Sequence, residues 1–269
     1  MSKGLEDFTQ VYLRIFLGII IGVIVFNKSI RYKKVFTLPK KDLLTIVLMG
    51  VAGYALAVYF ITMGSLKAKM MNVSITFSTV PFWTYLYSVI FLKKRIRIVP
   101  VVLILISFLG ISIISTKSII PKYQSFTIGE MYVLASAACF GIYYIGRKFL
   151  SDYLNNNELT ITVMFFAFIG SLFFSFILKE KLLISNLLNF QVLIGLGISA
   201  VSNVLTTKIE MFSFKKLNTV FGSQLLLFEN LFSLILGFIV YHEKILPPEI
   251  VGSIIVIISV FFANKVIND

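Results

Sequence analysis

The sequence predicts an all-α integral membrane protein, an inverted-repeat helical bundle with nine transmembrane helices. Three observations carry that expectation. The 269 residues are 58% hydrophobic and only 14% charged, with a mean hydropathy of +0.94, whereas a water-soluble domain needs roughly 25% charged residues to coat its surface. The few charges are confined to short connections, which leaves uncharged runs over 43–66, 70–92, 98–116, 159–178 and 182–207. Finally, the chain aligns weakly with itself at a fixed offset.

A bilayer core demands ~20 apolar helical residues, and nine stretches supply them. The first span, 11–27, rests on the run 15–27, extended by Tyr12 and Arg14, whose side chains reach outward to the interface. The second, third and fourth, 43–63, 71–92 and 98–116, lie in runs long enough unaided. The fifth, 128–147, extends the run 131–146 with Arg147. The sixth and seventh, 159–178 and 189–209, are continuous. The eighth, 218–240, is interrupted only by Glu229, and the ninth, 248–264, is extended by Lys265. A spanning β-barrel would show alternating segments of about ten residues; continuous runs mean helices.

The N-terminus does not read as a signal peptide, because Glu6 and Asp7 precede the first apolar stretch and no small-residue cleavage site follows it. The formal charge of +13 comes from 25 Lys and Arg against 12 Asp and Glu. Sixteen of those cations fall on one set of alternate connections: six in 28–41, four in 93–97, then Arg147 and Lys148, Lys208, Lys215 and Lys216, and Lys265. By the positive-inside rule that side is cytoplasmic. The C-terminus is therefore expected inside a multi-pass cytoplasmic-membrane protein and the N-terminus outside. The basic balance reads as topology, not as nucleic-acid binding.

At an offset of 149, Lys67 meets Lys216, Ser74 meets Ser223, Ile90 meets Ile239, Ile96 meets Ile245 and Val102 meets Val251. The third and fourth spans map onto the eighth and ninth. A shift of five spans is odd, so the copies face opposite ways across the membrane, as in many secondary transporters with a midplane substrate site. The first repeat is expected over 1–117 with four of five helices, the second over 126–266 with all five.

Several motifs carry a resemblance. Leu13-Arg14-Ile15-Phe16-Leu17 opens a span, Pro81 lies twelve residues before the basic turn at Lys93, and Tyr241-His242-Glu243 is followed by Ile245 and Gly252. On these the chain resembles EamA-type members of the drug/metabolite transporter superfamily over essentially its whole length from Leu13. The resemblance implies ten helices in two inverted five-helix repeats with both ends cytoplasmic. Relative to that plan the first helix is missing, through truncation or a start codon assigned too late, or the chain is a genuine nine-helix variant. Lys94 stands where the family's first copy usually has Glu. Ile209-Glu210-Met211, Lys215-Lys216-Leu217, Phe221-Gly222 and Glu229 are similar to the threonine/homoserine-exporter branch, although Asn230 replaces its usual Pro.

Polar residues recur at helical spacing inside the spans. Asn72, Thr76, Thr79, Trp83 and Tyr87 share one predicted face, as do Ser199, Asn203, Thr206 and Glu210, and then Gly222, Glu229, Ser233 and Gly237. Individually such residues often bond their own turn or pack helices together; whole polar faces are expected to line an aqueous cavity. Glu229, in an otherwise uncharged span, has two readings. It is a neutral carboxyl bonded to a neighbouring helix, or it binds an ammonium group or a coupling proton. Asn230, Gln224 and Asn203 offer neutral hydrogen bonds to a polar solute. Arg14 meets an anionic group or serves as an interfacial anchor. Tyr54, Trp83 and Tyr144 wall the cavity or pack the bundle. With Thr76 and Thr79 these form the expected substrate-binding set.

One cysteine, Cys139, and one histidine, His242, exclude a disulfide framework, a multi-Cys metal site and paired-His metal chemistry. The Gly141–Gly146 spacing lacks the Lys-Ser/Thr of a phosphate loop, since Arg147-Lys148 follow. No catalytic residue, cofactor or metal is expected. The expected activity is export of small polar metabolites, amino acids foremost, by alternating access driven by solute or proton gradients. Membrane lipid and a second copy of the chain, as a homodimer, are the other expected partners. The rival readings are an intramembrane enzyme acting on lipid-linked substrates and a non-transporting scaffold subunit.

Overall fold

A computed structural model describes residues 7–121, 126–180, 190–242 and 244–268, and among them every regular element is helical. Glu6, Asn189 and Glu243, which enter the expectations above, lie outside the described residues. In chain order the helices are α1 Asp7–Phe26, α2 Tyr32–Phe36, α3 Lys40–Leu48, a π-helical turn Met49–Ala55, α4 Leu56–Lys67, α5 Met70–Phe77, α6 Val80–Phe91 and α7 Ile98–Thr116. They continue as α8 Ile128–Gly146, α9 Asn156–Ile177, α10 Phe190–Lys216, α11 Thr219–Leu225, α12 Phe228–Tyr241 and α13 Pro247–Asn268.

Local chemistry sets these limits. Asn155 and Glu158 form a reciprocal capping box at the start of α9, so two orphan amides are satisfied. The Asn218 side chain accepts from the Val220 amide at the start of α11. Pro81 sits in the first turn of α6, where its missing N–H costs nothing. Lys93, Lys117, Lys179 and His242 all take positive φ, between 52° and 56°. They fill the left-handed position that ends a helix, without the glycine usual there.

Eight helical segments among the described residues are long and apolar enough to cross a membrane. The chain is a multi-pass helical membrane protein, and side chains such as Ile24, Ile98 and Phe176 stand exposed as a lipid solvent requires. The third expected span, 71–92, is not one continuous helix. It is α5 and α6, separated at Ser78–Thr79, next to the proline that cannot continue the backbone ladder. A matching interruption at Leu226–Leu227 separates α11 from α12 without any proline. The seventh span runs to Lys216, a full two turns past its expected end at 209, and the first begins at Asp7, not at Val11.

Helix limits repeat at the offset of 149. Asp7 and Asn156, Met70 and Thr219, and Ile98 and Pro247 begin helices, Lys67 and Lys216 end them, and Lys93 and His242 make the same left-handed turn.

The chain forms two compact units, each drawn from both halves of the sequence. The first contains residues 1–62 and 142–216. In it α1 packs against both α9 and α10. Phe8, almost fully buried, stacks on Tyr59 at 4.0 Å and on Phe174 at 5.4 Å. Gly53 admits the backbone of Tyr143 so closely that a Cβ there would sit 2.8 Å from the Tyr143 Cβ. α1 and α9 run antiparallel: Gly18 meets Met164 while Gly22 meets Ile161. Their ends are tied by carboxylates. Glu180 accepts from the Phe8 and Thr9 amides at 2.9 and 2.7 Å. Glu158 accepts from the Arg31 amide at 2.7 Å and from its guanidinium at 2.8 Å. Thr9 and Glu158 are repeat counterparts, and so are Arg31 and Glu180. The two ties are thus one contact seen twice, with the carboxylate moved to the other partner.

The second unit contains residues 63–141 and 217–269. Its centre is the crossing of α7 and α13. Ser107 and Ser259 share a 2.6 Å hydrogen bond, Gly110 lies against Val256, and Gly252 lies against Ile114. Numbers rise on one helix as they fall on the other, so these counterparts are also antiparallel, which is the relation an inverted repeat demands. Leu103, Ile111, Val256, Val260 and Ala263 build the surrounding core, with Phe221 and Leu231 joining it.

Candidate functional site

Four of the expected site residues, Arg14, Tyr54, Tyr144 and Asn203, fall in the first unit. The other six, Thr76, Thr79, Trp83, Gln224, Glu229 and Asn230, fall in the second.

In the first unit the polar residues sit among close-packed aromatics. Tyr54 is placed by the π-helical turn Met49–Ala55, an irregularity that re-aims side chains and recurs at functional positions. It is buried beside Tyr143, with ring centroids 5.7 Å apart, and it lies within electrostatic reach of both Arg14 and Glu210. Tyr144, at the end of α8, donates from its hydroxyl to Glu210 Oε1 at 3.3 Å and stacks on Phe214 at 4.4 Å. Glu210 is only 8% exposed. Arg14 lies two turns inside α1, because the helix starts earlier than the charge pattern predicts. Its Nε is buried without a hydrogen-bond partner, as is Asn203 Nδ2, and the buried Thr207 hydroxyl interacts with that of Tyr54. The polar face of α10 is therefore Asn203, Thr207 and Glu210, not the expected Asn203, Thr206 and Glu210: Thr206 is exposed and Thr207 is buried.

In the second unit the break at Ser78–Thr79 divides the expected five-residue stripe. On α5, Asn72 donates to Glu130 Oε1 at 2.6 Å, and Thr76 is buried. Thr79 bonds the Thr76 carbonyl at 2.7 Å, a local turn contact. On α6, Trp83 and Tyr87 press on Gly141, where a Cβ would lie 2.9 Å from the Tyr87 ring. The Trp83 Nε1 is buried and unpartnered, and so are both amide atoms of Gln224, a residue with no exposed surface. Asn230 accepts a 2.6 Å hydrogen bond from Ser74, which itself accepts from Ser115 at 3.2 Å.

Glu229 occupies the first turn of α12, beside the break, and its residue is exposed. No hydrogen bond or ion pair holds its carboxylate among the described residues. Of the two readings of Glu229, the hydrogen bond to a neighbouring helix is therefore not formed among the described residues. Gly222 is buried and Ser233 exposed, so the third expected stripe does not form a single face either.

Glu210, Thr207 and Tyr143 were absent from the expected binding set. The signal for Glu210 was present in its stripe, but three nearby lysines, Lys208, Lys215 and Lys216, made it look like the end of a span. Thr207 and Thr206 fit a helical repeat equally well. Among the described residues no group of three or more His, Cys, Asp or Glu is placed to hold a metal ion.

Against this geometry the similarities to known proteins are informative. The family model described as EamA-like transporter family matches residues 1–116 and 127–265. An uncharacterized transporter of Archaeoglobus fulgidus is 30% identical over 141 residues, 52% of this chain and 45% of that protein, so the chain spans less than half the length of this relative. An uncharacterized transporter of Clostridium kluyveri is 23% identical over 100% of this chain and 88% of its own length. A protein of known crystal structure shares the fold with a TM-score of 0.74, at 13% identity, over 98% of this chain and 89% of that one. The match over both halves, the helical membrane architecture and the antiparallel pairing of repeat counterparts lead to one assignment: the chain belongs to the EamA-like transporter family.

Proposed function

We propose that the protein is a secondary transporter exporting small polar metabolites, with amino acids as the solute class, across the cytoplasmic membrane by alternating access. Its C-terminus is cytoplasmic, and its two inverted repeats cover 1–117 and 126–266. The observation that carries the reading is the set of buried polar atoms left without hydrogen-bond partners inside helices of largely apolar sequence. Arg14 Nε, Asn203 Nδ2, Trp83 Nε1 and both amide atoms of Gln224 are of this kind. Buried polar groups are ordinarily satisfied, and a membrane protein that keeps several unsatisfied holds them for a solute. The interruptions in α5–α6 and α11–α12, and the π turn at Tyr54, support the same reading, since broken helices frame transporter sites.

The test is counterflow of radiolabelled amino acids in proteoliposomes, with and without a pH gradient. Exchange of one or more amino acids above empty liposomes is expected, and no exchange with any of them overturns the reading. Glu229→Gln separates the coupling role. A flattened pH dependence of transport is the expected outcome; an unchanged rate and pH profile removes Glu229 from the mechanism.

A further inference from the structure

We infer that one end of the first unit holds an anionic phospholipid, with Lys208 and Lys216 as its countercharge and an exposed apolar stripe of α10 as its acyl contact. This ligand is a component of the membrane that the helices cross, so its binding is independent of any transported solute.

A cavity of about 550 Å³ opens between the start of α9 and the last turns of α10, lined by Asn155, Asn156, Asn157, Lys208, Ile209 and Phe212. All six belong to the first unit. Asn155 and Asn157 donate their side-chain amides to Ser29 at 2.8 Å, whereas the Asn156 side chain makes no hydrogen bond among the described residues. Lys208 is half-buried, its ammonium 4.4 Å from the centre of the Phe26 ring. Steps of four carry the same face of α10 on to Phe212 and Lys216, and there the Lys216 ammonium lies 4.5 Å from the Phe212 ring. The ion pairs among the described residues, Arg31–Glu158, Lys117–Glu249 and Lys215–Asp152, include neither lysine. Nearby Glu158 and Asp152 are thus already taken, and Glu210, next to Ile209, is buried against Tyr144.

A half-buried cation against an aromatic ring has lost hydration that an anion restores, and a basic pocket between membrane helices is built for a lipid headgroup. The apolar part says which anion fits. Ile198, Val201, Leu205, Ile209 and Phe212 follow one another along α10 by three, four, four and three residues, and all five are exposed. They form one stripe on the helix, and its end, Ile209 and Phe212, is a wall of the cavity. A free phosphate would meet Lys208 and leave that stripe unused. A zwitterionic phospholipid would cover the stripe but bring its own cation towards two lysines. An anionic phospholipid answers both parts.

Native mass spectrometry of the full chain in detergent tests this, with dioleoyl phosphatidylglycerol, dioleoyl phosphatidylcholine or soluble glycerophosphate added in turn. Size-exclusion profiles establish that each variant is folded. Wild type is expected to bind phosphatidylglycerol at least about fivefold more tightly than phosphatidylcholine, and to retain no glycerophosphate. Lys208→Gln should weaken phosphatidylglycerol binding about fivefold, the scale of one lysine at an anionic membrane surface, and Lys208→Arg should preserve it. Lys41→Gln removes the same charge from an exposed position on α3, outside the cavity, and should leave binding unchanged. An equal loss in Lys41→Gln would mean diffuse attraction and overturn the site, as would equal retention of the two phospholipids. Glycerophosphate held as tightly as phosphatidylglycerol would make the ligand a free phosphate. Dimers that Lys208→Gln dissociates, with no lipid retained by wild type, would place a second copy of the chain on this face; either outcome overturns the lipid site.

Discussion

The two units solve one geometric problem with different chemistry. Each pairs a helix of the first repeat antiparallel to its counterpart in the second, α1 with α9 and α7 with α13. In the first unit the pair is fastened at its ends by carboxylates, Glu180 on the Phe8 and Thr9 amides and Glu158 on Arg31. In the second it is fastened at its middle, where Gly110, Gly252 and the Ser107–Ser259 bond let two backbones approach. Small residues at a crossing give close van der Waals packing, the main attraction available between helices in lipid. Both units nevertheless keep buried polar atoms without hydrogen-bond partners, Arg14 Nε and Asn203 Nδ2 in the first and Trp83 Nε1 and both amide atoms of Gln224 in the second. How a helix pair is fastened therefore does not decide where polar atoms are buried.

The comparison is broken most severely at the glycine crossing. A Cβ on Gly252 would lie 2.6 Å from the Gly110 carbonyl oxygen and 3.0 Å from the Ile114 amide nitrogen. Both are backbone atoms and cannot turn aside. Gly252→Val is expected to cost about 3 kcal/mol or more by overpacking, read as a fall in thermal midpoint in detergent; a midpoint unchanged within error would mean the crossing does not hold the unit together. Glu158→Ala comes next. It removes the capping box of α9 and the bonds from Arg31, an expected loss of about 2 kcal/mol from a cap and charge-assisted contacts. Because the end ties belong to the first unit, proteolysis should then begin near 27–31 and 151–158 and spare the α7–α13 pair. Cleavage spread evenly over both units would refute the division.

The smallest effect is expected at Asp152. Its carboxyl is held below the usual range by the hydrogen bond from Lys215 and by that residue's charge. Whatever stability it adds is present above the unfolded-state pKa and fades as pH falls through the lower folded value. At 75% side-chain exposure the pair is screened by water, so Asp152→Asn should leave the midpoint between pH 3 and 7 indistinguishable from wild type. A clear shift confined to acid pH would show the loop to be tied more firmly than its exposure implies.

Much of the fold was legible. Uncharged runs marked eight spans within a few residues at most ends, and the offset of 149 that aligns Ser74 with Ser223 also aligns helix starts at Met70 and Thr219. Pro81 stands beside the break before α6, although 71–92 was expected as one continuous span. The matching break before α12 was not announced, because Asn230 has an amide to donate and no ring to clash; there the interruption is sustained by packing and by the Ser74 bond. The site was less legible. Glu229 drew attention as a lone charge in an apolar run, yet it is exposed, while Glu210, half hidden among lysines in the sequence, is buried.

Solvent and periodicity alone determine which segments enter the membrane, and the inverted repeat follows from counting them, since uncharged length and odd parity are properties of the chain. Which polar residues converge is a different matter. A helical period of 3.6 admits Thr206 and Thr207 alike, and hydropathy cannot tell a carboxylate facing out from one held by tyrosines. Only the packing of α1 against α9 and α10 turned Thr207 and Glu210 inward, because the face a helix buries is chosen by its neighbours and not by its own sequence.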